Sequence, residues 1–224
     1  MLTEAEAKTA QEHIRRAAVL EESGPPPGAV RTVAGVDVAY DEGSDLLAAA
    51  AVVLDATTLA VVEQATAVGR ARFPYVPGLL AFRELPPVLD ALDRLRTTPD
   101  LVVCDGYGLA HPRRAGLAVH LGVETGLPCF GLAKTPFAFS YEAPGPARGD
   151  HSPLLDAGEE VGRALRTQPA VKPVFVSVGH RIGLDTACAH TLALTPRYRQ
   201  PETTRQADHL CRTELKKALA TMTR

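Results

Sequence analysis

The sequence predicts an α/β protein built on one mixed β-sheet flanked by helices. Three observations predict it. β-rich runs at 32–40, 46–54 and 59–68 follow one another through short polar connectors, as antiparallel neighbours do. Farther along, apolar runs at 101–105 and 128–132 bracket a helix-spaced segment at 114–125, the length of a parallel crossover. Both ends of the chain carry helical spacing, which supplies elements to cover the sheet.

The first element is an amphipathic helix. Thr3-Glu4-Ala5-Glu6 has the form of a capping box, and Ala10, Ile14, Ala17, Ala18 and Val19 carry an apolar face to about Glu22. The run Ser-Gly-Pro-Pro-Pro-Gly at 23–28 ends it, because consecutive prolines cannot continue a helix. The expected organisation is one domain over 1–224, with a helix at 1–22 and a proline-rich linker at 23–29 inside it. The three strands come next, separated by polar residues 41–45 and 55–58. After the aromatic, proline-bounded loop 73–77, residues 78–95 have mostly helical spacing, and Pro86-Pro87 is expected to break them into two pieces. Residues 101–105, 114–125 and 128–132 form strand, helix and strand. Residues 134–155 are rich in Pro, Gly and aromatics without periodicity and read as one long loop, a length that is usually functional. Residues 159–165 and 172–177 pair as a hairpin, 179–187 lead into a helix, and 201–222 form a charged terminal helix. Three antiparallel strands, a helix, a βαβ unit and further helices make the arrangement of RNase H-like nucleases. Periodicity alone does not separate that topology from other α/β folds.

Composition bounds the function. The 224 residues are 46% hydrophobic, ample core for one domain. No apolar run approaches the roughly 20 residues of a membrane span, and the acidic segment 1–11 lacks a signal-like apolar region, so the expected location is cytoplasmic. A net charge of −2 gives no overall basic field. Nucleic-acid contact therefore rests on local groups such as Arg70 with Arg72, Arg113 with Arg114, and Arg197, Arg199 and Arg205, each of which also serves as an ordinary solvated charge. Cys104, Cys129, Cys188 and Cys211 include no C-x-x-C pair, which favours reduced, mostly buried thiols over disulfides or zinc.

The acids carry the chemistry. Asp105 ends the apolar run 101–105 and leads into Gly106-Tyr107-Gly108, where glycines allow a sharp bend and close approach of a substrate. A strand-end aspartate also commonly caps a helix. Asp37 lies mid-strand, where a charge is costly unless it faces a solvated cleft, a cation or a buried arginine. Glu84 suits a packed helix or its surface, and Asp208 lies in a terminal helix that would be charged in any case. Brought to one sheet face, these acids would repel one another without a divalent cation. Oxygen-only ligands with open positions suit Mg²⁺ or Mn²⁺. The chemistry implied is in-line hydrolysis of a phosphodiester. Lys134, just after the fifth strand, either complements developing phosphate charge or is an ordinary loop lysine.

Six blocks in order carry a family resemblance: VAGVDVAY at 33–40, PYVPGLLAFRE at 74–84, DGYGLAHPR at 105–113, GLAK at 131–134, KPVFVSVGH at 172–180 and PETTRQAD at 201–208. Together they resemble endonuclease V, the deoxyinosine 3′ endonuclease family, over nearly the whole chain after the proline linker. The resemblance implies an RNase H-like fold with Asp37, Glu84 and Asp105 as ligands of Mg²⁺, for which Mn²⁺ can substitute. Asp208 falls where the family carries Asp or His, and Lys134 would neighbour the cleaved phosphate. The implied reaction on DNA cuts the second phosphodiester bond 3′ to deoxyinosine, leaving a 3′-hydroxyl, a 5′-phosphate and the base in place. Inosine-containing RNA stands open as a second substrate.

In the same resemblance, Tyr75 in the loop 74–77 is a strand-separating wedge that inserts while the altered nucleotide turns out. Gly78, Leu80, Gly106, Gly108 and His111 match the region enclosing hypoxanthine. Tyr107 stands where many relatives have His or a smaller polar residue, and Gly183 where a hydroxyl residue is common, so both bear on substrate preference. The competing expectations are an RNase H-like nuclease choosing hybrids or branched DNA, a small-molecule phosphatase, and a protein that binds inosine without cutting.

Overall fold

The computed structural model describes residues 2–137 and 139–222. Its elements are α1 (Glu4–Ala17), β1 (Thr32–Tyr40), β2 (Leu46–Asp55), β3 (Val61–Arg70), α2 (Ala81–Leu92), β4 (Leu101–Asp105) and α3 (Leu117–Thr125). They continue with β5 (Cys129–Ala133), β6 (His151–Asp156), β7 (Glu159–Leu165), β8 (Val174–His180), α4 (Leu184–Ala193) and α5 (Glu202–Met222). All eight strands join one sheet in the order β3-β2-β1-β4-β5-β8-β7-β6. The antiparallel meander β1-β2-β3 and the parallel crossover β4-α3-β5 stand as the sequence predicts, and β1 pairs parallel with β4 at the centre. Among the described residues no helix is long and apolar enough to cross a membrane.

Strand alternation sorts the core into two layers. Ala34, Val36, Val102 and Cys104 face Val88 and Ala91 of α2 and Leu117, Ala118 and Leu121 of α3. Val33, Leu101 and Val103 face the other way, toward Ile182 and toward Ala187 of α4. β2 is buried on both faces, and its alanines let helices approach closely: Ala49 and Ala51 meet the α2 layer, Ala48 meets Leu215 of α5. The closest approach is at Gly35, where a Cβ would lie 2.3 Å from the Thr203 carbonyl. A glycine in β1 thus seats α5 directly on strand backbone.

Several elements differ from the sequence expectations, each for a local reason. α1 ends at Ala17 rather than near Glu22, because the Ala18 backbone turns extended and Val19 pairs with the end of β8. The Val19 N–H donates to His180 Nδ1 at 3.1 Å and its carbonyl accepts from the Arg181 N–H at 2.7 Å. α2 is one helix, with Pro86 and Pro87 inside it. Proline φ is itself helical, and burial of Ala81, Val88 and Ala91 offsets the two missing donors. α3 begins at Leu117 rather than 114 because Arg114 has a left-handed φ of 54°. Its guanidinium pairs with Asp156 and Glu159, pinning that turn to the β6-β7 hairpin.

The supposed loop 134–155 contains most of β6, an edge strand pairing only with β7 within the sheet. Only Ser152 and Leu154 of this strand are buried, and Pro153 is tolerated at an edge. The expected pairing of 159–165 with 172–177 is present as β7 against β8.

Replacing Gly35 by Ala forces α5 off the sheet. The variant should lose about 1–3 kcal/mol of stability, the usual cost of overpacking, measured as a lower urea midpoint. A midpoint indistinguishable from the native protein would mean that α5 does not depend on this approach.

Candidate active site

Strand register creates the site. Val36 pairs with Cys104, so Asp37 and Asp105, one residue farther on, stand side by side on parallel neighbours roughly 4.8 Å apart. Their parity directs both toward the layer that contains α5, since Gly35 on the same face meets Thr203. Burial first, and then the charge of Asp105, pushes the Asp37 carboxyl up to about 8, although its Oδ1 accepts the Val38 N–H at 2.8 Å. Burial also raises the Asp105 carboxyl from its ordinary value, against the opposing pull of Lys134. The Lys134 ammonium lies 2.5 Å from Asp105 Oδ2. Burial disfavours its charge, but Asp105, Asp37 and Asp208 outweigh this and raise its pKa.

Asp208 comes from α5, and its Oδ1 pairs with Arg212 Nε at 2.9 Å. Glu84 arrives from α2, the opposite layer, nearly buried, with Tyr40 Oη donating to Oε1 at 2.6 Å. Burial pushes it up to about 7, the Tyr40 hydrogen bond opposes this, and Asp105 adds to it.

These five side chains line one cleft of about 740 Å³. Tyr75, Gly78, Leu80, Gly106 and His111 line the same cleft. Gly108 does not. It is buried, its N–H donates to Ser177 Oγ at 2.8 Å, and a Cβ there would lie 2.0 Å from the Val178 carbonyl. That glycine serves close packing against β8 rather than a ligand. Gly106 differs, because its φ of 143° requires glycine while a Cβ there would meet only Leu117 Cβ at 3.9 Å, an ordinary contact.

Burial first, then Arg113, lowers His111 to about 4, so the ring is neutral at pH 7. Its Nδ1 accepts the Arg113 N–H at 3.2 Å, which leaves the proton on Nε2. Phe137 stands 5.9 Å from the His111 ring and edge-on to Tyr107 at 5.5 Å, forming an aromatic wall. Tyr75 is 71% exposed. The loop that carries it is anchored by buried Phe73 and Leu79, packed with Ala7.

Among the described residues, no three His, Cys, Asp or Glu side chains are close enough to hold one ion directly. The donor set nevertheless fits a hard cation that keeps water in its shell. Asp37 and Asp105 offer oxygen only, their raised pKa values mark a carboxylate pair short of positive charge, and Lys134 is the ammonium found against them.

A family model described as Endonuclease V matches residues 12–209. The chain belongs to the endonuclease V family. An endonuclease V of Streptomyces avermitilis is 67% identical over 218 residues, 97% of this chain and 95% of that protein. The crystal structure of endonuclease V from S. avermitilis superposes with a TM-score of 0.95 at 66% identity, covering 98% of this chain and 96% of that one. Endonuclease V of Ciona intestinalis, crystallised with a 24-mer DNA containing an inosine followed by a ribo-adenosine, gives a TM-score of 0.82 at 28% identity, covering 96% and 98%. As an endonuclease, the family member is a hydrolase of phosphodiester bonds.

Three contributors to this endonuclease V cleft have structural roles that the sequence reading did not give them. Gln11 is fully buried, and its Nε2 donates to the carbonyls of Gly78 and Ala115 at 3.0 Å each while Oε1 accepts from Arg113 Nε. It thereby ties the loop before α2 to the turn before α3. Its one signal was position: Ala7, Gln11 and Ile14 share a helix face. Arg199 holds Lys134 in place through its carbonyl, donating at 2.7 Å to Lys134 and to Pro173. Phe137 lay in the long loop expected to be functional, without a role of its own there.

Asp37 gives a pH test in the metal-free protein. A carboxyl titrating near 4 when unfolded and near 8 when folded binds its proton more tightly in the native state. Its stabilising contribution is present below about pH 4 and is lost as pH rises through about 8. Asp37→Asn keeps an acceptor for Val38 without the charge. In EDTA the variant should match the native protein near pH 4 and exceed it at pH 9 by on the order of a few kcal/mol, measured by thermal unfolding. No advantage at pH 9 would contradict a strained carboxylate.

Proposed function

We propose that this protein is a metal-dependent DNA repair endonuclease that recognises deoxyinosine and hydrolyses the second phosphodiester bond on its 3′ side, leaving a 3′-hydroxyl and a 5′-phosphate. The observation that carries the reading is the junction at Asp105. One strand end holds a carboxylate beside Asp37 and continues into the glycine turn that borders an aromatic-walled pocket. The inosine-containing DNA bound by the Ciona relative supports the substrate class. Inosine-containing RNA is the second substrate the reading admits.

Asp37 and Asp105 would hold Mg²⁺ directly and Glu84 through water of its shell, with Mn²⁺ able to substitute. A bound ion of this kind activates water as a nucleophile and neutralises a leaving oxygen. Lys134, which balances Asp105 in the free protein, is positioned to pair with substrate phosphate once cation charge relieves that carboxylate. Asp208 orients water or supports the ion from α5. Tyr75, exposed on an anchored loop, takes the place of the nucleotide that turns out. The turned-out base meets backbone at Gly78 and Gly106, the Leu80 side chain and the neutral His111, with Phe137 and Tyr107 as its wall. A neutral imidazole suits an uncharged base better than a cation would.

An oligonucleotide with one internal deoxyinosine should be cut once, at the second bond 3′ to the lesion, with Mg²⁺ and not with EDTA. Asp105→Asn should bind the lesion without cutting, which also separates this reading from an inosine-binding protein. A metal-independent break, or none in Mg²⁺, would sink the proposal. Tyr75→Ala should lose about tenfold in kcat/KM on a paired lesion, the scale of one aromatic stacking contact, and less on an unpaired one. Equal losses on the two substrates would refute the wedge.

A further inference from the structure

A second concavity of about 450 Å³ meets the main cleft at Asp208 and shares neither Gly78 nor His111 with it. Tyr198, Arg199, Gln200, Arg205, Asp208 and His209 line it, and Asp208 lines the main cleft as well. Tyr198 lies on the 194–201 connection between α4 and α5, which is held firmly through its backbone. Arg148 and Gln168 donate to the Thr195 carbonyl, Gln168 also to that of Tyr198, and Thr167 to that of Arg199. On this fixed backbone the Tyr198 side chain is 42% exposed.

Two guanidinium groups lie near its ring. The Arg205 carbon lies 3.7 Å from the ring centroid and the Arg197 carbon 5.4 Å. Arg205 Nε contacts Glu202 at 3.4 Å, whereas Arg197, among the described residues, has no hydrogen-bond or ion-pair partner. Arg205 precedes Asp208 by one helical turn, so the cations begin about 4.5 Å along the helix axis from that carboxylate.

An exposed aromatic ring with cations around it, continuous with a phosphodiester-cutting cleft, has the chemistry of a single-strand subsite. Guanidinium groups take phosphates and stack on bases, and a tyrosine ring stacks on any base. The direction of the strand follows from the proposed function, on which this step rests. A strand with its lesion in the Gly78 and His111 pocket and its cut bond at the acids leaves 3′-end first, past Asp208.

We propose that Tyr198, Arg197 and Arg205 form a binding subsite for the nucleotides immediately 3′ of the scissile bond and hold them as a single strand. The subsite selects for substrates that continue beyond the cut. It is sequence-tolerant, because stacking and phosphate pairing read no base edge.

The test uses single-stranded oligonucleotides with one deoxyinosine and either two or eight nucleotides on its 3′ side. The native protein should show a kcat/KM about tenfold higher on the longer substrate, the effect of one or two stacked bases. In Tyr198→Ala that ratio should fall toward one, and Tyr198→Phe should restore it, since stacking needs the ring and not the hydroxyl. Arg197→Gln, at an exposed side chain, should lower the ratio and flatten its salt dependence without touching the ring. A ratio unchanged in Tyr198→Ala and Arg197→Gln overturns the subsite. If no inosine substrate is cut at all, the proposed function fails, and the same variants titrated against a labelled unmodified octanucleotide still decide the subsite. A Kd unchanged by Tyr198→Ala overturns it, and one raised about tenfold supports it.

Discussion

Parallel pairing of β1 with β4 holds Asp37 and Asp105 together in a buried cleft, and the rest of the molecule is arranged around the cost of doing so. Two ionised carboxylates about 5 Å apart repel by ~3 kcal/mol at an effective dielectric of about 20, before the cost of burial is added. That is a sizeable fraction of the 5–15 kcal/mol that separates a typical domain from its unfolded chain. The structure answers in two ways. Lys134 supplies a cation against Asp105, and the raised pKa values show Asp37 and Glu84 prepared to carry protons instead of charge. Neither response removes the strain as well as a divalent cation would. The apolar layers on both sheet faces keep the strands from separating to relieve it.

The same rigidity extends to the glycine turn that lines the cleft. The turn after Asp105 is wedged into the sheet by glycines that meet backbone: a Cβ at Gly131 would lie 2.6 Å from Gly108 N, and one at Gly116 would lie 2.3 Å from the Tyr107 carbonyl oxygen. A pocket wall built on this turn cannot drift relative to the carboxylate that precedes it. α1 extends the arrangement to the loop that carries Tyr75, since Gln11 joins Gly78 to Ala115 across the cleft. The glycine turn and the acids are therefore held to one frame by backbone contacts, so that in the proposed function the register between a turned-out base and the acids is set before substrate arrives.

Legibility in the sequence followed how strongly local pattern and tertiary role agreed. β1 was readable to the residue, because its apolar run is bounded by polar turns and its glycine and aspartate fall on one face. The acids were readable individually, but their convergence was expected only through the family resemblance and not from spacing. It depends on the β1-β4 register and on the far-separated α5, and no spacing rule within the chain encodes either. β6 stayed hidden because an edge strand buries only Ser152 and Leu154 and contains a proline. Pro86 and Pro87 misled, since packing of α2 outweighs a local rule about helix breaking. Gly106 and Gly108 read alike in sequence, yet one is required by its φ and borders the cleft while the other is required by the Val178 carbonyl and does not. Gln11 was invisible for the opposite reason, a polar residue whose partners are all backbone or side-chain atoms brought from elsewhere.

α5 unites these features. Its seat on the sheet is Gly35, two residues before Asp37 on the same face, so the helix is positioned by the strand that supplies a carboxylate. From that seat it presents Asp208 to the acids, Arg212 as the counter-charge of Asp208, and Arg205 against Tyr198 outside the cleft. Any displacement of α5 moves Asp208 and Arg205 together, while β1 and β4 stay in register. In the proposed function, the sheet thus fixes where a bond breaks and the helix decides how the strand leaves. The contact between them is a glycine with no side chain to keep them apart.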